Sequence, residues 1–560
     1  MTTNRSDKLK LNHKPMNKTF LFFLIVLFQA TTVMKVFACT NFIVTKGASK
    51  DGSVMVVYTC DGEFHPSLRV VPAADYKPGE MLQIKDWSGN VLGEIKQALH
   101  TYAIVGPHMN EHQVSIGETT FGGRAELVNS SNLLHYWTLM QLTLKRSKTA
   151  LEAVKTLTAL AEEYGYKSEG ESFSIADPNE AWILEMIGTG KKGKGAIWVA
   201  RRIPDGYVSA HANKSRIGEF PLDDPENCLY SKNVIDFAIK KGYYNPESGE
   251  PFRFNEAYDP SNPSNLRYCE SRVWSLFNRC APSLKLSTDY HRGVEGADRY
   301  PLWIKPDSKL NVEAVSYLIR DHYEGTDFDM TKGIEAGPFG SPNRCRPLVL
   351  DVDGKTAVWE RPISTRNTAF SFIAQSRSWL PNEIGGVLWY GYDDTYYTCY
   401  TPVYCCTKEI PKVWGQGSLQ KFSWDSAWWI FNFVSNFSDL RYSDMIQDIQ
   451  KVQRELEQKF VAYIPAMDKA AGELYKINPK LATDFLSDFS NDQLDMVAER
   501  WTELAEHLIT KYNDGYIKDE NGNAQTVGYP QEWLKKVMKD KPGHILPVWE
   551  KEKALEPSNY

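Results

Sequence analysis

Two different spacings of hydrophobic positions divide this chain. From Cys39 to about residue 410, apolar residues fall in short runs broken by turn residues. After about Gly415 they recur every three or four residues. In the first region, Thr40–Thr45 and Ser53–Thr59 read as strands. Lys46–Gly52, with two glycines and Asp51, reads as the turn between them. Ser172–Ala176 and Ala181–Gly188 flank Asp177-Pro178-Asn179-Glu180 as a second hairpin, and Leu348–Asp351 and Thr356–Glu360 flank Asp353-Gly354 as a third. Leu151, Val154, Leu157 and Ala161 predict a helix over Thr149–Tyr164, stopped by Gly165. Hairpins with interspersed helices predict an α+β fold with largely antiparallel sheets. In the second region, Met445, Ile449, Val452, Leu456 and Phe460 predict one amphipathic helix, interrupted near Pro465. Leu494, Val497, Trp501, Leu504 and Leu508 predict another, capped by Ser490 or Asn491. Such stripes usually mean packing, and no chemistry is attached to them.

One apolar run is of a different kind. Phe20–Met34 follows Lys14 and Lys18 and leads to Val36-Phe37-Ala38, the pattern of a cleavable export leader. The expected organisation is therefore a leader over 1–38, a catalytic region over 39–415 and a mainly helical segment over 416–560. No second run approaches the roughly 18 apolar residues a bilayer span needs. The mature chain is thus expected outside the membrane, in a periplasm or the exterior. The 560 residues carry a net charge of −6, and removing the leader, with its six Lys/Arg and one Asp, moves it to −11. That balance argues against nucleic acid or anionic membranes as main partners.

Cutting after Ala38 would make Cys39 the first residue, with a free α-amine beside its own thiol. An amine of pKa roughly 7.7–8.0 and a thiol of about 8.5 exchange a proton nearly evenly. The pair is a nucleophile with a built-in base, suited to attack on a carbonyl and a thioester intermediate. A hairpin closed around residues 45 and 53 places Cys39 opposite roughly residue 59, with Cys60 and Asp61 at the same end. Asp61 could then hold the amine by a charge-assisted hydrogen bond. Two blander readings compete: a buried or disulfide cysteine, and a lipid-modified one. Phe37 and Lys35 suit lipid attachment poorly.

The remaining segments run in a recognisable order. They include Cys39-Thr40, Lys50-Asp51-Gly52-Ser53, Met109-Asn110-Glu111-His112 and Gly117-Glu118-Thr119. Ala181-Trp182-Ile183-Leu184-Glu185, Ala212-Asn213, Ser271-Arg272-Val273-Trp274 and Asp321-His322-Tyr323-Glu324-Gly325-Thr326 follow, then Ser376-Arg377-Ser378-Trp379. In these the chain resembles the C69 family of dipeptidases, members of the N-terminal-nucleophile hydrolases and distant relatives of the choloylglycine hydrolases. The resemblance implies a four-layer αββα sandwich, cysteine-type amide hydrolysis of dipeptides or short peptides, and no metal or cofactor. It implies that Asp61 contacts the amine of Cys39, that Asn213 supports the amine or the oxyanion, that Arg272 orients the site and that Thr120 lies by the oxyanion hole. Read alone, Asp61 and Asn213 are equally turn or capping residues, and Arg272 an ion-pair partner. The choloylglycine branch has an Arg shortly before the Asp, where this chain has Tyr58, Thr59 and Cys60. An amidase acting on N-acyl amino acids or bile-acid-like conjugates is the alternative, and assembly into a homo-oligomer stays open.

His108-Met109-Asn110-Glu111-His112 also spells H-x-x-E-H, a zinc-peptidase pattern. Zinc binding needs a helix there, so that both imidazoles share one face. Pro107 before it and the alternation through Val114, Ile116 and Gly117 predict a strand instead.

Overall fold

Runs of β-branched and aromatic residues, buried on both faces, form two antiparallel sheets in the computed structural model, which describes residues 39–546. The leader expected over 1–38, its cut after Ala38 and the last residues of the 416–560 segment lie outside the described residues. The first sheet has seven strands. In order across it are Trp303–Ile304, Val208–His211, β1 (Thr40–Val44), β2 (Val54–Asp61), Thr368–Ser376, Val387–Tyr392 and Thr401–Tyr404. The second has eight: Cys228–Tyr230, Ala196–Arg202, Ala181–Gly188, Gly170–Ala176, Ser115–Gly122, Met109–Asn110, Ile104–Val105 and Val70–Val71. Every neighbouring pair is antiparallel. The fold is α+β.

The sheets meet where β1 and β2 cross Ser115–Gly122. Gly117 lies so close to the first sheet that a Cβ there would sit 2.4 Å from Asn41 Oδ1 and 3.1 Å from Tyr58 Cβ. Polar bridges also cross the gap. His211 hydrogen-bonds Thr119 Oγ1 through Nδ1 at 2.7 Å and Ser174 Oγ through Nε2 at 2.8 Å. Asn41 Nδ2 donates to the Glu118 carbonyl at 2.6 Å. The other side of the second sheet is covered by the helices Tyr136–Leu144 and Ala150–Tyr164. Leu139, Val154 and Leu157 bury there against Phe173, Leu184 and Trp198. Thr149 caps the longer helix by accepting from Glu152 N–H at 3.2 Å, and Gly165, at φ 85°, ends it.

The C-terminal helices depart from the expected pattern in two ways. Tyr442–Ile477 runs as one helix through Pro465. Proline removes one main-chain donor, and burial of Phe460, Ile464 and Ala471 on either side offsets that loss. The next helix spans Pro479–Tyr512, and its cap is Asn478, which accepts from Lys480 N–H at 2.9 Å. Ser490 sits mid-helix, where its hydroxyl donates to Leu486 and accepts from Tyr404 N–H at 3.1 Å. This helix and the strands share one core, and Trp414 Nε1 donates to the Leu494 carbonyl at 2.9 Å. Among the described residues, no helix is long and apolar enough to cross a membrane. All nine cysteines are free thiols.

Candidate active site

The hairpin of β1 and β2 sets the position of Cys39. Thr40 pairs with Thr59, so Cys39 faces Cys60, one residue beyond the expected partner. The slip arises in the turn. Asp51 Oδ1 accepts from both Ser53 N–H (3.0 Å) and Ser53 Oγ (2.6 Å), and Val44 then pairs with Met55. Asp61 follows at the end of β2, as the hairpin argument requires.

Arg272 ties the group together. It is fully buried on the helix Pro263–Cys280. Its Nη1 donates to the main-chain carbonyl of Cys39 at 2.7 Å and to Thr40 Oγ1 at 2.9 Å. Its Nη2 donates to the Ala212 carbonyl at 3.2 Å and to Asn213 Oδ1 at 3.0 Å. Asn213 in turn donates through Nδ2 to the Thr120 carbonyl at 2.7 Å. Asn213 stands just past the strand Val208–His211 with φ 58°, a left-handed conformation that asparagine tolerates better than most residues. Buried Glu185 fixes the loop that follows, accepting from Arg216 N–H at 2.6 Å and from Ser215 Oγ. Cys39, Thr120, Asn213 and Arg272 thus form one hydrogen-bonded chain. Thr120 joins it through its main chain, while its hydroxyl donates to Glu171 at 3.0 Å.

Asp61 is buried. Thr368 Oγ1 donates to its Oδ1 at 2.6 Å, and Arg361 forms an ion pair with its Oδ2. Burial raises its pKa above the usual carboxylate value, against the opposing pull of Arg361, the Thr368 hydrogen bond and Arg272. A guanidinium does therefore reach this aspartate, from Arg361 rather than from the strand before it.

The surroundings of the thiol are acidic. Cys39 Sγ lies 3.7 Å from Tyr58 Oη and points toward Glu118 Oε1 at 3.9 Å. Tyr58 Oη donates to the same carboxylate oxygen in a short hydrogen bond. Burial pushes the thiol well above its ordinary value, and Cys60, Glu118 and Asp61 push it further. Glu118 and Glu171 are both raised, chiefly by burial. For Glu171 the neighbouring Glu118 carboxyl adds to the shift. Tyr58, Glu118, Glu171 and Arg361 were not anticipated as site residues from sequence. Glu118 alone left a signal, as a lone acid among small and apolar residues in Ile116-Gly117-Glu118-Thr119.

The H-x-x-E-H segment is not helical. Met109–Asn110 is a short strand, and the next strand begins at Ser115. His108 packs among the rings of Tyr58, Phe370 and Phe372, and burial lowers its pKa to about 3. His112 stands instead against Tyr102. His322 is fully buried, with Nδ1 bonded to Glu324 Oε1 at 3.1 Å.

The sequence profile described as Peptidase family C69 matches residues 71–455. That span holds Glu118, Thr120, Asn213, Arg272 and Arg361 and begins after Cys39 and Asp61. The chain is 30% identical over 389 residues to a "Probable dipeptidase" of Salmonella dublin, covering 66% of this chain and 81% of the relative. It is 26% identical over 494 residues to "Probable dipeptidase A" of Streptococcus pyogenes serotype M3 (strain SSI-1), covering 84% and 98%. To "Dipeptidase A" of Lactobacillus helveticus it is 26% identical over 320 residues, covering 57% and 58%.

Proposed function

The chain belongs to peptidase family C69, and on that premise we propose that it is an exported dipeptidase whose nucleophile is the thiol of Cys39. The observation that carries this reading is the Arg272 guanidinium, which holds the Cys39 carbonyl and Asn213 at once. Such a clamp ties the main chain of Cys39 to the Ala212-Asn213 segment. It is an expensive arrangement for an ordinary core cysteine, because a buried guanidinium needs partners on each arm. We read the two facing sheets and their helices as the αββα sandwich of the N-terminal-nucleophile hydrolases. Residues 39–415 form its catalytic part in this reading, and the helices of 416–560 brace it.

Removal of the leader gives Cys39 a free α-amine in this mechanism. The amine takes the thiol proton, and Sγ attacks the carbonyl carbon of the scissile amide. Asn213 and the main chain near Thr120 flank the developing oxyanion. As the C–N bond breaks, the Cys39 ammonium returns the proton to the departing amine, leaving a thioester on Sγ. Water, deprotonated by the same amine, adds to the thioester and releases the amino acid and the thiol. Asp61, neutralised by Arg361, orients the amine without leaving a bare carboxylate beside the thiolate. Purified protein assayed against dipeptides and against N-acyl amino acids tests the reading. Cleavage of dipeptides, abolished by Cys39→Ala, is expected. Preference for the acyl conjugates would assign the chain to amidase chemistry, and undiminished turnover by the variant would remove Cys39 from the mechanism.

A further inference from the structure

The floor of this site carries more carboxyl groups than the mechanism uses. Glu118 Oε1 is engaged by Tyr58 and approached by Cys39 Sγ at 3.9 Å. Its other oxygen, Oε2, is buried and meets no N–H or hydroxyl donor, and the protonated Glu171 carboxyl hydrogen-bonds this carboxylate. Two buried carboxyl groups that share one proton still keep one negative charge out of water, a cost that an arriving cation would offset. Asp61 adds a repulsive charge to Glu118, and Asp61 itself has Arg361. Glu118 therefore faces the thiol with Glu171 behind it, and among the described residues neither glutamate has an ion pair.

The distance of this carboxylate from the thiol indicates what would meet it. In a peptide, the α-nitrogen is two bonds, about 2.5 Å, from the carbonyl carbon of the same residue. A thiolate poised for attack stands about 3–3.5 Å from that carbon. A carboxylate 3.9 Å from Sγ can then accept from the α-ammonium at the usual 2.7–2.9 Å of a charge-assisted bond. Cys39 and Glu118 are both buried and stand 3.9 Å apart, so a group bound to one lies beside the other.

Resting on the dipeptidase reading above, we propose that Glu118, held by Tyr58 and backed by Glu171, is the acceptor for the free α-ammonium of the substrate's first residue. Gly117 permits this close approach, since a Cβ there would overlap Asn41 Oδ1 and crowd Tyr58 Cβ. The bound cation also offsets the negative surroundings that disfavour the Cys39 thiolate. Substrates with a free N-terminus thereby help to activate their own nucleophile.

The test compares L-alanyl-L-alanine with N-acetyl-L-alanyl-L-alanine on the wild-type protein, Glu118→Gln and Glu118→Asp. The wild type should strongly prefer the free dipeptide. Glu118→Gln should raise KM for it by at least about 10-fold and narrow the preference, and Glu118→Asp, which keeps the charge, should recover part of the loss. A wild type indifferent to acetylation overturns the inference. So does an equal fall in kcat on both substrates with KM unchanged, which would place Glu118 on the amine of Cys39 itself. Should no dipeptide be cleaved, the activity reading falls, and calorimetric binding of alanyl-alanine decides the subsite separately. Weaker binding by Glu118→Gln supports it, and equal binding overturns it.

Discussion

Arg272 donates to the main-chain carbonyl of Cys39 at 2.7 Å from a position 233 residues further along the chain. The same guanidinium reaches Asn213, so its two arms need the planar, forked geometry that lysine lacks. Arg272→Lys should fold but lower kcat on the order of 100-fold with little change in KM, because in the proposed mechanism it loosens the nucleophile rather than the substrate. Steady-state kinetics on a dipeptide, with thermal unfolding as a control, checks this.

Asp61 and Arg361 are both wholly buried and paired with each other. Removing one charge leaves the other in a site built for two, at a cost of about 3–5 kcal/mol. Asp61→Asn and Arg361→Met should each destabilise by that order. The double variant should lose less than the two single losses combined, since it removes both charges. Denaturant unfolding of the three variants reads the coupling directly.

Thr120 and Asn213 should separate in their effects. The Thr120 hydroxyl is given to Glu171, and only its carbonyl enters the clamp. Thr120→Val should therefore lower kcat by less than about 10-fold. Asn213→Ala removes a side chain that bridges Arg272 and the Thr120 strand, and should cost on the order of 10²–10³. Kinetics of the two variants on one substrate checks the order.

Glu185 predicts a pH dependence of stability. Burial raises its pKa from 4.5 to about 7, although Arg216 N–H, Ser215 Oγ and Ile217 N–H all pull it down. Between those two values the folded protein holds a proton that the unfolded chain has released. Unfolding then sheds a proton, so stability from this group falls as pH rises from 4.5 to 7. The full effect is at most roughly 3 kcal/mol. Denaturation midpoints measured across that range should decline less steeply in Glu185→Gln than in the wild type.

Local signals made much of the frame legible. The hairpin of β1 and β2, the Ser172–Gly188 hairpin and the helix capped by Thr149 all follow from short-range alternation and turn chemistry. Pattern reasoning erred at two points, one inside a turn and one in the core. An Asx turn at Asp51 shifted the β1–β2 register by one, and core packing carried a helix through Pro465. Asn478-Pro479, a cap followed by proline at the first helical position, was a readable start for the last long helix. The placement of Cys39 and Asp61 at one end of the hairpin was readable because they flank one turn. Arg361 was not, because it lies 300 residues from Asp61 and no local pattern marks it as its partner. Glu171 was hidden for the same reason, since it meets Thr120 only across neighbouring strands.

The claim on which this account rests is that the working enzyme begins at Cys39 with its α-nitrogen free. N-terminal sequencing of catalytically active, purified protein addresses it most directly. The account predicts Cys39 as the first residue, unmodified. Full activity in a molecule that starts elsewhere, or whose terminal nitrogen is acylated, would contradict it.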